Sequence, residues 1–271
     1  MAVQEAAACA VETDFSPFFS RFVALPQSLG GRFINADTFK ETFDAYRGNP
    51  VHRQRYAAPL HNASAALANA WLRCVLCQPH TPRRDVVLFI TGISGAGKTA
   101  CVLAAARAGD VDDVELAAGA RLPPGTHAVY ERSLAKSEAV VAQIRDVIEA
   151  GLRPAIVVLH AAPERALDNT LRRFAVTGRG ASIHTMARIQ GNLPESLSVV
   201  RAVFGDAVTL CIIDRRDFDD PRRLVGWTHL PLLTSEGNRE YIQRRLERHL
   251  QTRRDTLSIA AWRQAAGLPP A

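Results

Sequence analysis

Apolar residues fall along this chain in two patterns. Short runs built on consecutive apolar residues occupy residues 32–35, 85–92, 126–131, 154–160 and 208–213, of which 154–160 is apolar nearly throughout, and stretches of helical period separate them. A short apolar run bounded by turn residues predicts a strand, and one apolar at nearly every position predicts a strand covered on both faces. Helices are predicted over residues 15–25, 38–46, 56–76, 100–108, 134–150, 163–177, 194–204 and 238–252, with residues 184–191 leading into the helix over 194–204. Pro163 stands in a first turn and Gly151 closes another helix. Strands alternating with helices predict an α/β fold, with a parallel sheet of about five strands flanked by helices. The expected organisation is a disordered lead-in over 1–14, one domain over 15–225, and a basic helical extension over 226–271.

The second run delivers G-I-S-G-A-G-K-T at residues 92–99. This is the spacing of a P-loop, in which small residues bend the backbone so that its N–H groups converge on phosphate oxygens. Gly92, Ile93, Ser94, Gly95, Ala96, Gly97, Lys98 and Thr99 are therefore the expected nucleotide-binding residues. Lys98 is expected on the β/γ-phosphates and Thr99 on Mg²⁺, with ATP, or alternatively GTP, as the bound nucleotide. The fold class sharpens to a P-loop kinase-like sheet with a helical C-terminal tail.

In an open parallel sheet ligands lie beyond the carboxyl ends of the strands, so residues ending the other runs are the next to inspect. Asp37, Glu131 and Asp214 qualify. Phosphoryl transfer requires cations about the γ-phosphate and a carboxylate to orient or deprotonate the acceptor. Asp37 is a candidate base, with a helix cap as its alternative role. Arg172, Arg173, Arg179 and Arg188 flank the connection after the fourth run and are candidates for an arginine clamp.

The net charge of +6 suits an anionic partner. Arg239, Arg244, Arg245 and Arg248 form a basic face near the C-terminus, but Glu240 and Glu247 interrupt it. A solvated face is expected there rather than a nucleic-acid contact. Five cysteines make no disulfide framework, and Cys74 and Cys77 read as two semi-buried thiols on one helix face. The first residues carry no basic n-region, and no apolar run approaches a membrane span, so a cytoplasmic protein is expected.

Several short motifs resemble the zeta toxin kinases. N-A-D-T-F-K at 35–40 is similar to that family's N-G-D-x-F-R, and Y-x-x-P-L at 56–60 to a segment that opens a helix there. Y-E-R-S-L at 130–134, T-L-R-R-F at 170–174, G-R at 178–179 with His184, and I-D-R at 213–215 resemble further family elements. The resemblance spans about residues 30–216. It implies transfer of the ATP γ-phosphate, with Mg²⁺, to a sugar hydroxyl of UDP-N-acetylglucosamine or a related nucleotide, and inhibition by a small antitoxin protein. It implies Asp37 as base, Lys98 and Thr99 as phosphate and metal ligands, and Arg173 and Arg179 as clamp. Asn35, Lys40, His61, Glu131 and Ser133 become the expected substrate contacts. Two features depart from the family pattern: the Asp37 unit precedes the P-loop, and residues 63–67 lack an acid that binds the sugar nucleotide. A P-loop switch acting through a protein partner, and a nucleic-acid-associated NTPase, are the alternative functions.

Overall fold

In the computed structural model, residues 2–108, 115–116, 120–121, 125–217 and 220–269 are described. In chain order the strands are β1 (Phe33–Asn35), β2 (Val86–Thr91), β3 (Glu115–Leu116), β4 (Ala120–Arg121), β5 (Thr126–Glu131), β6 (Arg153–His160), β7 (Thr209–Asp214) and β8 (Arg222–Val225). One six-stranded sheet runs β1-β5-β2-β6-β7-β8, and β3 pairs with β4 in a separate antiparallel ladder. The five apolar runs form the parallel part of the sheet, and β8 joins β7 antiparallel at its edge. The pattern missed β8 because its residues are mostly exposed and two of its four are arginines, as suits a guarded edge.

Side chains alternate across the sheet and feed two cores. Val87, Phe89, Ala128, Tyr130, Ile156 and Val158 face one, and Val86, Leu88, Ile90, Val129, Val157 and Leu159 face the other. The first core is covered by α1 (Ala2–Thr13), α2 (Ser16–Ala24), α3 (Ala36–Lys40), α5 (His61–Leu76) and α7 (Ser137–Glu149). A short helix, α4 (Pro50–Tyr56), precedes α5. The second core is covered by α6 (Lys98–Ala108), α8 (Pro163–Thr177), α10 (Arg239–Thr252) and α11 (Ile259–Ala266). The long α9 (Ile183–Phe204) serves both, through Met186 and Ala187 in the second and Leu193, Leu197 and Val200 in the first.

Several expectations need correction. Residues 2–13, read as a disordered lead-in, form α1, because Ala7 and Val11 lie one turn apart and bury against the first core. The helix expected over 38–46 is only the five-residue α3. The chain then continues in turns, yet Phe43 and Tyr46 still reach the core. The helix expected to start at Pro194 instead begins at Ile183 and takes in residues 184–191, with Pro194 inside it. Gly191 lies so close to α10 that an added Cβ would stand 2.6 Å from the Arg239 backbone, and burial on both sides of Pro194 keeps the helix continuous. The C-terminal residues contribute Ile242, Leu246, Leu250 and Ala265 to the second core, and Arg245 joins α10 to Glu164 (2.7 Å) and Glu236 (2.6 Å). Cys74 and Cys77 are both exposed, since they lie on the outer face of the last turn of α5 and just beyond it. Among the described residues no helix is long and apolar enough to cross a membrane.

The N-terminal helices anchor the unit that carries Asp37. Phe22 and Phe39 are fully buried and stack with ring centroids 3.8 Å apart. Phe39→Ala is expected to cost about 3–5 kcal/mol, the range for emptying a buried aromatic site, as a lower urea midpoint.

Candidate functional site

The carboxyl edge of the sheet gathers the polar residues singled out in the sequence. β2 ends at Thr91, the chain turns through residues 92–97, and α6 begins at Lys98. Gly92 has φ 136° and Gly95 φ 88°, values that favour glycine. Space excludes side chains as well: a Cβ at Gly92 would stand 2.3 Å from the Leu159 carbonyl oxygen, and one at Gly95 2.0 Å from that of Ala166. Asn169 Nδ2 donates to the Gly95 carbonyl (2.9 Å), and Arg215 Nη1 to that of Ala96 (3.2 Å). Ile93 and Ala96 are buried in the second core, whereas Ser94 is half-buried. The loop is thus fixed against α8 and the segment after β7. A bent backbone leading into the first turn of an eleven-residue helix is suited to an anion.

Lys98 opens α6 and folds back, its Nζ donating to the carbonyls of Gly92 (3.0 Å) and Ile93 (3.1 Å). Thr99 Oγ1 donates to Glu131 Oε2 at 2.9 Å, and Glu131 Oε1 stands 3.8 Å from Lys98 Nζ. Burial lowers the pKa of Lys98 and nearby Arg173 adds to the lowering, while Glu131 and Asp37 oppose it. Thr99 and Glu131 together offer hard oxygen atoms, the donor type that Mg²⁺ takes.

The order of strands brings the Asp37 unit beside this loop. β5 lies between β1 and β2, with Glu131 in register with both Asn35 and Ile90. Asn35 ends β1 and caps α3, its Oδ1 accepting from the Thr38 N–H at 2.7 Å. The cap is therefore Asn35, and Asp37 in the first turn is left to pair with Lys40 Nζ (3.0 Å) and Arg179 Nη2 (2.8 Å). Arg173, on α8, donates from Nε to the Arg179 carbonyl at 3.1 Å. Gly178 ends α8 with φ 75°, where a Cβ would stand 2.2 Å from the Pro50 carbonyl. The connection between α8 and α9 thereby lies against the start of α4.

Electrostatics define one continuous cluster. Burial would raise the Asp37 pKa, but the Lys40 ammonium and Arg179 guanidinium outweigh it and hold the carboxyl well below its usual value. Burial likewise lowers Arg173, reinforced by Arg179 and opposed by Asp37 and Glu131. Burial pushes the Tyr46 phenol up to about 12, with Arg179, Asp37, Glu41 and Arg53 all acting on it. His61 falls below its usual value through burial and the Lys40 and Arg188 charges, against the pull of Asp37.

A carboxyl with a depressed folded pKa adds stability above its unfolded pKa, near 3.8, which is lost as pH falls through the folded value. The stability gap between the protein and Asp37→Asn is therefore expected to be full at neutral pH and to shrink below about pH 4. Urea denaturation across that range measures it.

The structure thus brings Asp37, Lys40 and Arg179 into direct contact, and likewise Lys98, Thr99 and Glu131, with Arg173 bonded to the Arg179 carbonyl. His61 opens α5 within the field of Lys40 and Asp37. Ser133 is half-buried, and its carbonyl accepts from Thr91 Oγ1 at 2.9 Å. Asp214 pairs with Arg216 at 2.7 Å. Sequence reasoning missed Tyr46 and Asn169, and singled out Arg215 only within the I-D-R element, without its contact to the loop. Asn169 had a signal, since it and Arg173 are four residues apart on α8 and share a face. Comparison with protein-family models gives no match, and comparison with curated proteins gives none.

Proposed function

We propose that this protein is an ATP- and Mg²⁺-dependent small-molecule kinase of zeta-toxin type. In this reading the loop 92–97 is a P-loop and the fold is P-loop kinase-like. It transfers the γ-phosphate to a hydroxyl of a nucleotide sugar such as UDP-N-acetylglucosamine, or of a related nucleotide, and serves as the toxin of a toxin–antitoxin pair. The observation that supports this most is the convergence of the Asp37–Lys40–Arg179 and Lys98–Thr99–Glu131 groups at neighbouring strand ends. Two motifs far apart in sequence, each suited to one half of a phosphoryl transfer, share one edge of the sheet.

The loop N–H groups and Lys98 bind the β/γ-phosphates, and Thr99 and Glu131 would hold Mg²⁺, which would neutralise phosphate charge. Arg173 and Arg179 balance charge on the transferring group. Asp37 accepts the acceptor's hydroxyl proton as that oxygen bonds to the γ-phosphorus and the bond to the β,γ-bridging oxygen breaks. It is ionised at neutral pH, with Lys40 and Arg179 holding its pKa below the ordinary carboxylate value. Lys40 and His61 stand on the acceptor side, where residues 63–67 supply no acid.

Incubation with ATP, Mg²⁺ and a panel of nucleotide sugars and dinucleotides, followed by mass spectrometry, tests the reading. One acceptor is expected to gain a single phosphate. Bound ATP with no phosphorylated small molecule would favour a nucleotide switch instead.

A further inference from the structure

Arg179 does not face a vacant anion site; it is spent on Asp37. Its Nη2 holds Asp37 Oδ2 at 2.8 Å, while its Nε is buried with no hydrogen-bond partner among the described residues. A guanidinium with an orphaned donor in a buried site has bonding capacity that a phosphate oxygen would satisfy. Asp37 holds a second cation on its other oxygen, the nearly buried Lys40 at 3.0 Å. Departure of Arg179 would leave the carboxylate ionised and in place. The backbone at Arg179 is held, its carbonyl by Arg173 Nε and the preceding Gly178 close against Pro50. Exchange therefore needs only the side chain to swing, and Glu131, in register with Asn35 two residues before Asp37, bonds Thr99 at the end of the loop, so Arg179 and the loop lie along one edge of the sheet.

We propose that Arg179 is exchanged between Asp37 and the donor's phosphate, so that donor binding releases the base from its ion pair and an empty donor site keeps it paired. This rests on the kinase reading above. Asp37 and the donor then compete for one guanidinium, and each weakens the other's hold on it. The chain without donor would hold its acceptor-activating carboxylate in an ion pair, which suppresses proton abstraction until phosphate is present to receive the acceptor oxygen.

The competition has a sign that a purely structural ion pair lacks. Removing the base should tighten donor binding. Calorimetric titration of the full chain with a non-hydrolysable ATP analogue and Mg²⁺ would compare the unaltered protein, Asp37→Asn, Arg179→Ala and the double variant. Asp37→Asn is expected to bind the analogue about threefold tighter or more, a coupling of the size seen between contacting groups. In the Arg179→Ala background the same substitution is expected to leave affinity unchanged. Equal or weaker binding by Asp37→Asn overturns the exchange. A gain of the same size in the Arg179→Ala background also overturns it, since the field of the carboxylate alone would then account for the effect. Failure of every form to bind the analogue, with circular dichroism showing each folded, overturns the donor-site reading and the exchange together. Binding without the gain overturns the exchange alone.

Discussion

Lys98→Ala is expected to reduce ATP-dependent phosphate transfer by about 10²–10³-fold or more, the worth of a preorganised donor aimed at developing charge. The ammonium is nearly buried and already sits at the mouth of the loop, on the Gly92 and Ile93 carbonyls. Binding of phosphate would draw it off those carbonyls without moving the backbone. Its removal leaves Glu131 bonded to Thr99, so a large loss of stability is not expected. Initial rates of ADP formation in the presence of acceptor measure the first effect, and a urea denaturation curve checks the second. A Lys98→Ala protein that folds and transfers phosphate at the full rate would exclude the loop as the donor site.

The second large effect belongs to Asp37. Asp37→Asn keeps the shape of the side chain and an oxygen for Lys40 or Arg179 to donate to, but it cannot accept a proton. Turnover is expected to fall by about two to four orders of magnitude, the usual worth of a general base. The loss should appear in kcat, because the substitution alters proton transfer rather than an acceptor contact. Steady-state kinetics with saturating donor separate the two parameters. Full turnover in Asp37→Asn would leave the Asp37–Arg179–Lys40 group with a purely structural role.

The parallel strands were legible because strands covered on both faces must be apolar at nearly every position, as Val86–Thr91 and Arg153–His160 are. Glycines 92, 95 and 97 were legible for a related reason: the space beside two of them is filled by the backbone of neighbouring elements. The antiparallel β8 was not legible, since an exposed edge strand carries no apolar signature. Helix α1 was hidden because only one narrow stripe, including Ala7 and Val11, buries. A sequence also cannot say which strand lies beside which. The displaced position of the Asp37 unit looks disruptive along the chain, yet the order β1-β5-β2 brings its end next to Glu131. Only the fold could reveal that Asn35 takes the cap and so leaves Asp37 to its two cations.

Phosphorus NMR of the purified protein with ATP, Mg²⁺ and the nucleotide-sugar panel decides most directly whether this cluster is a kinase site. Loss of the γ-phosphate signal is expected to be matched by ADP and by a new phosphomonoester signal on one acceptor in equal amount, and Lys98→Ala is expected to show neither. Inorganic phosphate as the only new product, or ATP left intact beside every acceptor, would contradict phosphoryl transfer to a small molecule.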